Sequence, residues 1–235
     1  KDFHNEYERS KHQAEGEISS LCREAGLPLS IYRPSIVYGD SRTGHSLSFN
    51  ALYYPVRILL LVKDMLERDI RERSGQQAQE MGVSLLPDGR MRMPIRVGIN
   101  GGGSIDLIPI DHLVQSVLAL MEAEDSTGVF HIVNPQRLTV KDLIQMIQET
   151  YPMTGIETVP EEKIQDAWRS PLETLIDYYM EVYKPYLNDL RAFDDARARP
   201  ILKSAGLACP PLTLERFHRC MAYARTVDWG NGLRL

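Results

Sequence analysis

The feature that most constrains the fold is a helix, a tight turn and an apolar strand in direct succession. Residues 6–25 are helix formers, and Ile18, Leu21 and Cys22 share one apolar face at helical spacing. A glycine and a proline then stop the helix, and residues 29–33 form a short apolar run that a second proline ends. This succession is one step of a parallel α/β sheet.

The rest of the chain continues the alternation of helical and strand patterns, which predicts an α/β fold. The further predictions are a long or broken helical segment over residues 47–81, strands over 95–97 and 105–108, a helix from a cap at Asp111 to about residue 124, a strand over 129–133, a helix to Thr150 that Thr139 caps, and helices from residue 161 onward.

A loop over residues 35–44 follows the first strand and is rich in glycine and hydroxyl side chains. It leaves the carboxyl end of that strand, which is where open α/β sheets hold their ligands. We therefore expect the ligand on this side of the sheet.

Composition and charge exclude several classes of protein. The chain has 27 Lys and Arg against 32 Asp and Glu and no basic block, so nucleic acid is not an expected partner. Three cysteines without a Cys-x-x-Cys pair and six scattered histidines favour a reducing compartment and no metal site. The best apolar run, residues 51–62, is interrupted by Arg57 and is too short for a transmembrane segment. Without a signal peptide, a cytoplasmic location is expected.

Tyr7 and Lys11 are the first candidates for chemistry. They lie four residues apart on the predicted first helix, so their side chains share a face. A neighbouring ammonium favours the phenolate, which makes such a pair a proton donor for a carbonyl that is being reduced. A solvated surface pair has the same spacing, so spacing alone leaves both interpretations open.

Four motifs in a fixed order give this pair a context. They are Asn5-Glu-Tyr-Glu-Arg-Ser-Lys11, Tyr32-Arg-Pro-Ser-Ile-Val-Tyr-Gly-Asp40, Ile105-Asp-Leu-Ile-Pro-Ile-Asp111 and Gly128-Val-Phe-His-Ile-Val-Asn-Pro135. Together they resemble the latter part of an extended short-chain dehydrogenase/reductase, of the NAD-dependent epimerase/dehydratase superfamily. The segments at residues 37–44, 193–202 and 209–213 most resemble its fatty acyl and thioester reductase branch.

The resemblance implies a fold, a cofactor and roles for residues. The fold is the C-terminal part of a Rossmann-like, doubly wound parallel sheet with a mostly helical substrate-binding subdomain. Tyr7 resembles the acid/base tyrosine, and Lys11 the lysine that lowers its pKa and holds the nicotinamide ribose. The loop beside the nicotinamide corresponds to Arg33, Pro34, Ser35 and Ile36. The cofactor is NADP or NAD, with NADP favoured by the resemblance.

The family's glycine-rich turn and its catalytic Ser or Thr have no counterpart here, which predicts a fragment that lacks the cofactor-binding N-terminal half. The triple glycine at residues 101–103 is interpreted as a turn or bulge, because no helix follows it directly. The predicted parts are a remainder of the dinucleotide-binding domain over residues 1–46, a substrate-binding or lid segment over 47–104, a return to the Rossmann-like core over 105–150, and a helical substrate subdomain over 151–235.

Other conspicuous residues are interpreted as structural. His131 alternates with apolar neighbours in a strand and is expected to have its hydrogen bonds satisfied. Cys22 is expected to be a core residue. The tyrosines at residues 178, 179, 183 and 186 pack a helical subdomain or line an acyl pocket. The arginines at residues 68, 71 and 73 are expected on a solvated face.

Three functions compete. The leading one is an NAD(P)-dependent reductase of a carbonyl or acyl thioester, whose substrate is a small molecule or a carrier-bound acyl group. A nucleotide-sugar epimerase or dehydratase would use the same Tyr and Lys, but the apolar start of the 47–81 segment argues against a sugar. A non-catalytic binding or regulatory protein of the same fold has no need of that pair. The sequence leaves open whether the protein forms a homodimer. The isolated chain is expected to be inactive.

Overall fold

The computed structural model describes residue 3 and residues 5–100, 103–164, 169–187 and 191–231. The helices in these ranges are α1 (Glu6–Glu24), α2 (Tyr53–Glu72), α3 (Gln76–Glu80), α4 (Ile110–Met121), α5 (Val140–Thr150), α6 (Pro171–Met180), α7 (Lys184–Leu187), α8 (Ala198–Ser204) and α9 (Leu214–Thr226). The strands are β1 (Ser30–Pro34), β2 (Ile36–Tyr38), β3 (Ser84–Leu85), β4 (Met91–Ile99), β5 (Ser104–Ile105), β6 (Leu107–Pro109), β7 (Gly128–Ile132), β8 (Leu138–Thr139) and β9 (Met153–Pro160).

Parallel pairing joins the strands that hold the predicted site. β1 pairs in parallel with β7, and β2 pairs in parallel with β6. In the described ranges β1 has a strand partner on one edge only. These pairs, with helices between them, confirm the predicted α/β class with Rossmann-like parallel sheet.

A second sheet contains the strands β3, β4 and β9. β4 pairs in parallel with β9 over most of its length and antiparallel with the short β3. β9 was not predicted, and the expectation of a helical subdomain from residue 151 is wrong over this strand. Its β-branched residues carry a strand signal, but its pattern of buried and exposed residues is irregular. Pairing with the distant β4 decides its conformation.

Two hydrophobic cores hold these layers. The smaller core lies where α4 and α8 cover the parallel strands, and it contains Ile108, Leu120, Phe130, Ile132 and Ala198. The larger core joins α2, β4, α5, β9, α6 and α9. Tyr38 of β2 and Leu107 of β6 belong to the larger core, so both cores include residues of the parallel strands.

Helix α1 contains no buried residue. Ile18 and Leu21 are 49% and 64% exposed, and Cys22 is only half-buried, so the expectation of a core cysteine is wrong. The apolar spacing is present, but no described element covers that face. α4 likewise exposes Val114 and Leu118 one turn apart.

One of the two predicted helix caps is confirmed, and the other is wrong. Thr139 caps α5, since its side chain accepts a hydrogen bond from the Asp142 N–H, as predicted. Asp111 does not cap α4, because that helix begins at Ile110 without a side-chain cap. The Asp111 carboxylate instead accepts hydrogen bonds from the backbone N–H and the hydroxyl of Ser41, at 2.8 and 2.7 Å.

Candidate active site

Tyr7 and Lys11 lie together near the start of α1. Asn5 caps this helix, because its side-chain oxygen accepts a hydrogen bond from the Glu8 N–H at 3.0 Å. The Lys11 Nζ lies 5.5 Å from the centroid of the Tyr7 ring, so the two side chains share a face as the spacing predicts. Tyr7 is 66% exposed and lines a large cavity, so its phenol is accessible to a ligand. The catalytic roles of the pair stay predictions.

The cavity has a volume of about 1020 Å³. It lies between the start of α1, the β1–β2 connection and the layer of α2, β4, α5 and α6. Most of its wall is aliphatic, with contributions from Ile58, Leu59, Ile95, Leu143, Ile147 and Ile176. This size is at the upper end of ordinary ligand pockets, and the lining suits an apolar group.

Arg33, predicted to lie beside the cofactor, lines the cavity and also binds α1. Its Nε donates to the Glu15 carboxylate at 3.0 Å, and a second guanidinium nitrogen forms an ion pair with the same group. The hydrogen bond from Arg33 lowers the pKa of Glu15 and raises the pKa of Arg33 itself. Arg33 therefore fixes α1 against the end of β1.

His131 has partners on both ring nitrogens, as expected for a structural histidine. Nε2 lies 3.4 Å from an Arg33 nitrogen, and Nδ1 lies 2.8 Å from the Asp194 carbonyl oxygen. With Nε2 accepting from Arg33, Nδ1 carries the proton and donates to that carbonyl.

The residues after Arg33 are held by a buried carboxylate. Pro34 is exposed at the end of β1, while the Ser35 hydroxyl donates to Asp106 Oδ1 at 2.8 Å. The Ile36 N–H donates to the Asp106 carbonyl at 3.2 Å. Asp106 is only 8% exposed, and burial raises the pKa of its carboxyl. Sequence reasoning gave Asp106 no role, although an acid inside an apolar strand pattern is a signal for one.

In the glycine- and hydroxyl-rich loop, expected to face a ligand, the polar groups of residues 40–43 bind one another or Asp111. Asp40 Oδ1 accepts from the N–H groups of Arg42 and Thr43, and Ser41 binds Asp111. Gly39 has no room for a side chain, because a Cβ there would lie 2.6 Å from the Tyr53 hydroxyl. Within this loop, residues 35–37 line the cavity.

Two contacts from the C-terminal segment reach the start of α1. The Asn5 amide donates to the Tyr186 hydroxyl at 2.6 Å, and Arg191 forms an ion pair with Glu8 at 3.0 Å. These four residues and Tyr7 all line the cavity. The two residues of each pair lie 181 or 183 positions apart in the chain. A local sequence pattern could not predict these contacts, which only the tertiary structure shows.

Of the four tyrosines near the C-terminus of α6, two line the cavity and two lie at the surface. Tyr183 stacks on Tyr54 with ring centroids 5.2 Å apart and, like Tyr186, lines the cavity. Tyr178 is 78% exposed, and Tyr179 lies next to it at the surface. The predicted packing role is therefore wrong for Tyr178, because α6 turns its other face to the core.

In the part of the chain that the structure describes, no three His, Cys, Asp or Glu side chains are grouped as a metal site would need. No helix within the same ranges has the length and hydropathy to cross a membrane. The predicted turn at residues 101–103 falls mostly outside the described residues.

Comparisons with known proteins relate part of the chain to one protein family. The family described as male sterility protein matches residues 1–117. No curated protein matches the chain.

Solved structures match nearly the whole chain at low identity. The aureusimine biosynthetic cluster reductase domain is 16% identical with a TM-score of 0.63, over 97% of this chain and 52% of that one. The thiolation-reductase di-domain from an archaeal non-ribosomal peptide synthetase is 18% identical with a TM-score of 0.61, over 98% and 43%. The terminal R domain from the myxalamid PKS-NRPS pathway is 19% identical with a TM-score of 0.56, over 92% and 49%. The chain thus spans about half the length of these structures.

Proposed function

We propose that this chain, which belongs to the extended short-chain dehydrogenase/reductase superfamily, supplies the acid/base pair and the substrate pocket of an NAD(P)-dependent reductase of acyl thioesters or carbonyls. The observation that carries the proposal is the position of Tyr7 beside a cavity of about 1020 Å³ with a largely aliphatic wall. A proton donor next to an apolar pocket suits a reacting carbonyl at the end of an acyl chain.

The described residues fit the nicotinamide end of such a cofactor. Tyr7 and Lys11 are exposed on one face, and Ser35 lines the adjoining cavity. Lys11 would hold the ribose, and residues 33–36 would lie beside the ring. A bound nicotinamide supplies the hydride.

The chain's own residues carry the proton chemistry. The Tyr7 hydroxyl donates a hydrogen bond to the carbonyl oxygen and then transfers its proton as negative charge develops there. The Lys11 ammonium, close to the Tyr7 ring, stabilises the resulting phenolate. The aliphatic walls exclude water from the acyl chain.

The substrate class follows from the wall of the cavity. A nucleotide sugar needs convergent polar groups for its diphosphate and base, whereas α2, α5 and β4 present mainly Ile, Leu and Val. The acyl group is free or bound to a carrier, and the size of the cavity admits either a long chain or a branched one.

The test is cofactor oxidation by the full-length protein, assayed with NADPH and NADH against acyl thioesters and nucleotide sugars. Tyr7→Phe should lower turnover by about 100-fold or more with little change in stability, because it removes one exposed hydroxyl. Tyr178→Phe is the matched control, since it removes a hydroxyl from a similarly exposed tyrosine outside the cavity. Near-normal turnover in Tyr7→Phe, or activity on nucleotide sugars alone, would refute the proposal.

A further inference from the structure

Asp106 is a buried acid that the proposed proton chemistry does not use. It lies between β5 and β6 and is only 8% exposed. Its Oδ1 accepts hydrogen bonds from the Ser35 hydroxyl at 2.8 Å and from the Asn134 N–H at 2.9 Å. Burial disfavours a carboxylate unless hydrogen bonds compensate for the lost water. The partners of Asp106 therefore indicate its role.

Ser35 is the point at which the chain changes its strand partner. β1 pairs with β7 up to Pro34, and β2 pairs with β6 from Ile36 onward. On the β7 side, the Ser35 N–H donates to the Ile132 carbonyl at 3.0 Å. On the β6 side, the Ser35 hydroxyl donates to the Asp106 carboxylate and the Ile36 N–H donates to the Asp106 carbonyl. Asp106 therefore holds the second half of this bend.

Asn134 completes the network from the end of β7. It is 3% exposed, its Nδ2 donates to the Leu107 carbonyl at 3.0 Å, and its Oδ1 accepts from the Gln136 N–H at 2.9 Å. Both ends of its side chain therefore have partners, and its own N–H binds Asp106. A buried polar network whose members are satisfied is rigid and specifies one geometry.

The bend is also anchored on its other side. Arg33 binds Glu15 of α1, the helix that carries Tyr7, while Asp106 binds residues 35 and 36. Between these two anchors Pro34 is exposed, and Ser35 and Asp106 both line the cavity. The orientation of the bend toward the cavity therefore depends on both anchors.

We infer that Asp106 is a positioning residue, which through its hydrogen bond to Ser35 holds the bend over residues 33–36 in the orientation that receives the nicotinamide ring. The inference rests on the proposed function and deepens it by naming the residue that sets the surface for the ring. A bend that is already held in one orientation needs no ordering when the ring binds, so its loss weakens binding of the ring in particular. A residue that only stabilised the fold would affect binding of every part of the cofactor alike.

The test measures binding by the full-length protein and needs no turnover. Isothermal titration compares NADH with ADP-ribose, and NADPH with phosphorylated ADP-ribose, so that the second member of each pair lacks the nicotinamide. Ser35→Ala removes the bond to Asp106. It should weaken binding of the complete cofactor about tenfold and change binding of the truncated one by less than about twofold. Ser35→Thr keeps the hydroxyl and should restore the affinity.

Ser30→Ala is the matched control. Ser30 lies at the other end of β1, outside the cavity, and is half-buried like Ser35, and its hydroxyl donates to the Ser126 carbonyl. Its replacement should leave both affinities unchanged, and thermal unfolding followed by circular dichroism should show that both alanine variants are folded. Asp106→Asn keeps the volume of the side chain but removes its charge, so it should repeat the selective loss to a smaller extent. It carries the test if Ser35→Ala does not fold.

The outcomes separate this inference from the proposed function. An equal loss for both members of a pair, or no loss in Ser35→Ala, overturns the positioning role. A full-length protein that binds neither cofactor overturns the positioning role and the proposed function together. Thioester reduction by the wild type without a selective loss in Ser35→Ala refutes only the positioning role, whereas a selective loss in a protein that reduces neither thioesters nor carbonyls refutes only the proposed function.

Discussion

Glu173 links α6, which lines the cavity, to β4, and we expect its ionised form to contribute measurably to the stability of the fold. The carboxylate is 4% exposed and accepts from the Arg96 side chain at 2.7 Å through both oxygens. The backbone N–H groups of Arg96 and Ser170 also donate to it. Three of these bonds join the start of α6 to Arg96 of β4, and the bond from Ser170 closes the cap of α6 itself.

These contacts determine the direction of the pKa shift. Burial disfavours the ionised form of Glu173, but the hydrogen bonds from Arg96 and from the backbone outweigh burial and lower the pKa from 4.5 to about 2. A carboxyl with a lowered pKa stabilises the folded state above its unfolded pKa, and that contribution disappears as the pH falls through the folded value. A shift of this size is equivalent to about 3 kcal/mol at neutral pH.

The perturbation is Glu173→Gln, which keeps the size of the side chain and removes its charge. Urea unfolding followed by circular dichroism should show a free energy of unfolding about 3 kcal/mol lower than wild type at pH 7. The difference should shrink between pH 4.5 and pH 2, where the wild-type carboxyl becomes protonated. Glu162→Gln, at an exposed residue beyond β9, should change little. A loss that is the same at every pH, or smaller than about 0.5 kcal/mol at pH 7, would refute the reasoning.

Three further predictions concern activity and association. Catalytic efficiency of the full-length protein should rise about fourfold per added methylene until the cavity is full, since each buried methylene contributes about 0.8 kcal/mol, and a flat response in a thioester series would contradict the apolar pocket. Arg191→Ala removes the ion pair with Glu8 and should lower kcat more than it raises KM, because it loosens the start of α1. Steady-state kinetics that show only a KM effect would count against this. The exposed apolar faces of α1 and α4 predict self-association of the chain, which analytical ultracentrifugation should detect and Leu118→Glu should weaken. A monomer at all concentrations would contradict it.

The sequence by itself determined the local elements near the predicted site. The helix of Tyr7, the strand that follows it and the Thr139 cap depend on contacts within a few residues, so helical spacing, prolines and a capping pattern were sufficient. For the same reason the common face of Tyr7 and Lys11 was predictable, because it follows from helix geometry.

Only the tertiary structure decided which polar groups line the cavity and which bind other parts of the protein. Asp111 looked like a helix cap but binds Ser41, 70 residues away, and β9 is a strand because β4 lies beside it. The contacts of Asp106 with Ser35 and Asn134 likewise join distant parts of the chain. A local sequence pattern shows which hydrogen bonds a residue is able to form. Folding decides which of the possible partners comes within hydrogen-bond distance of it.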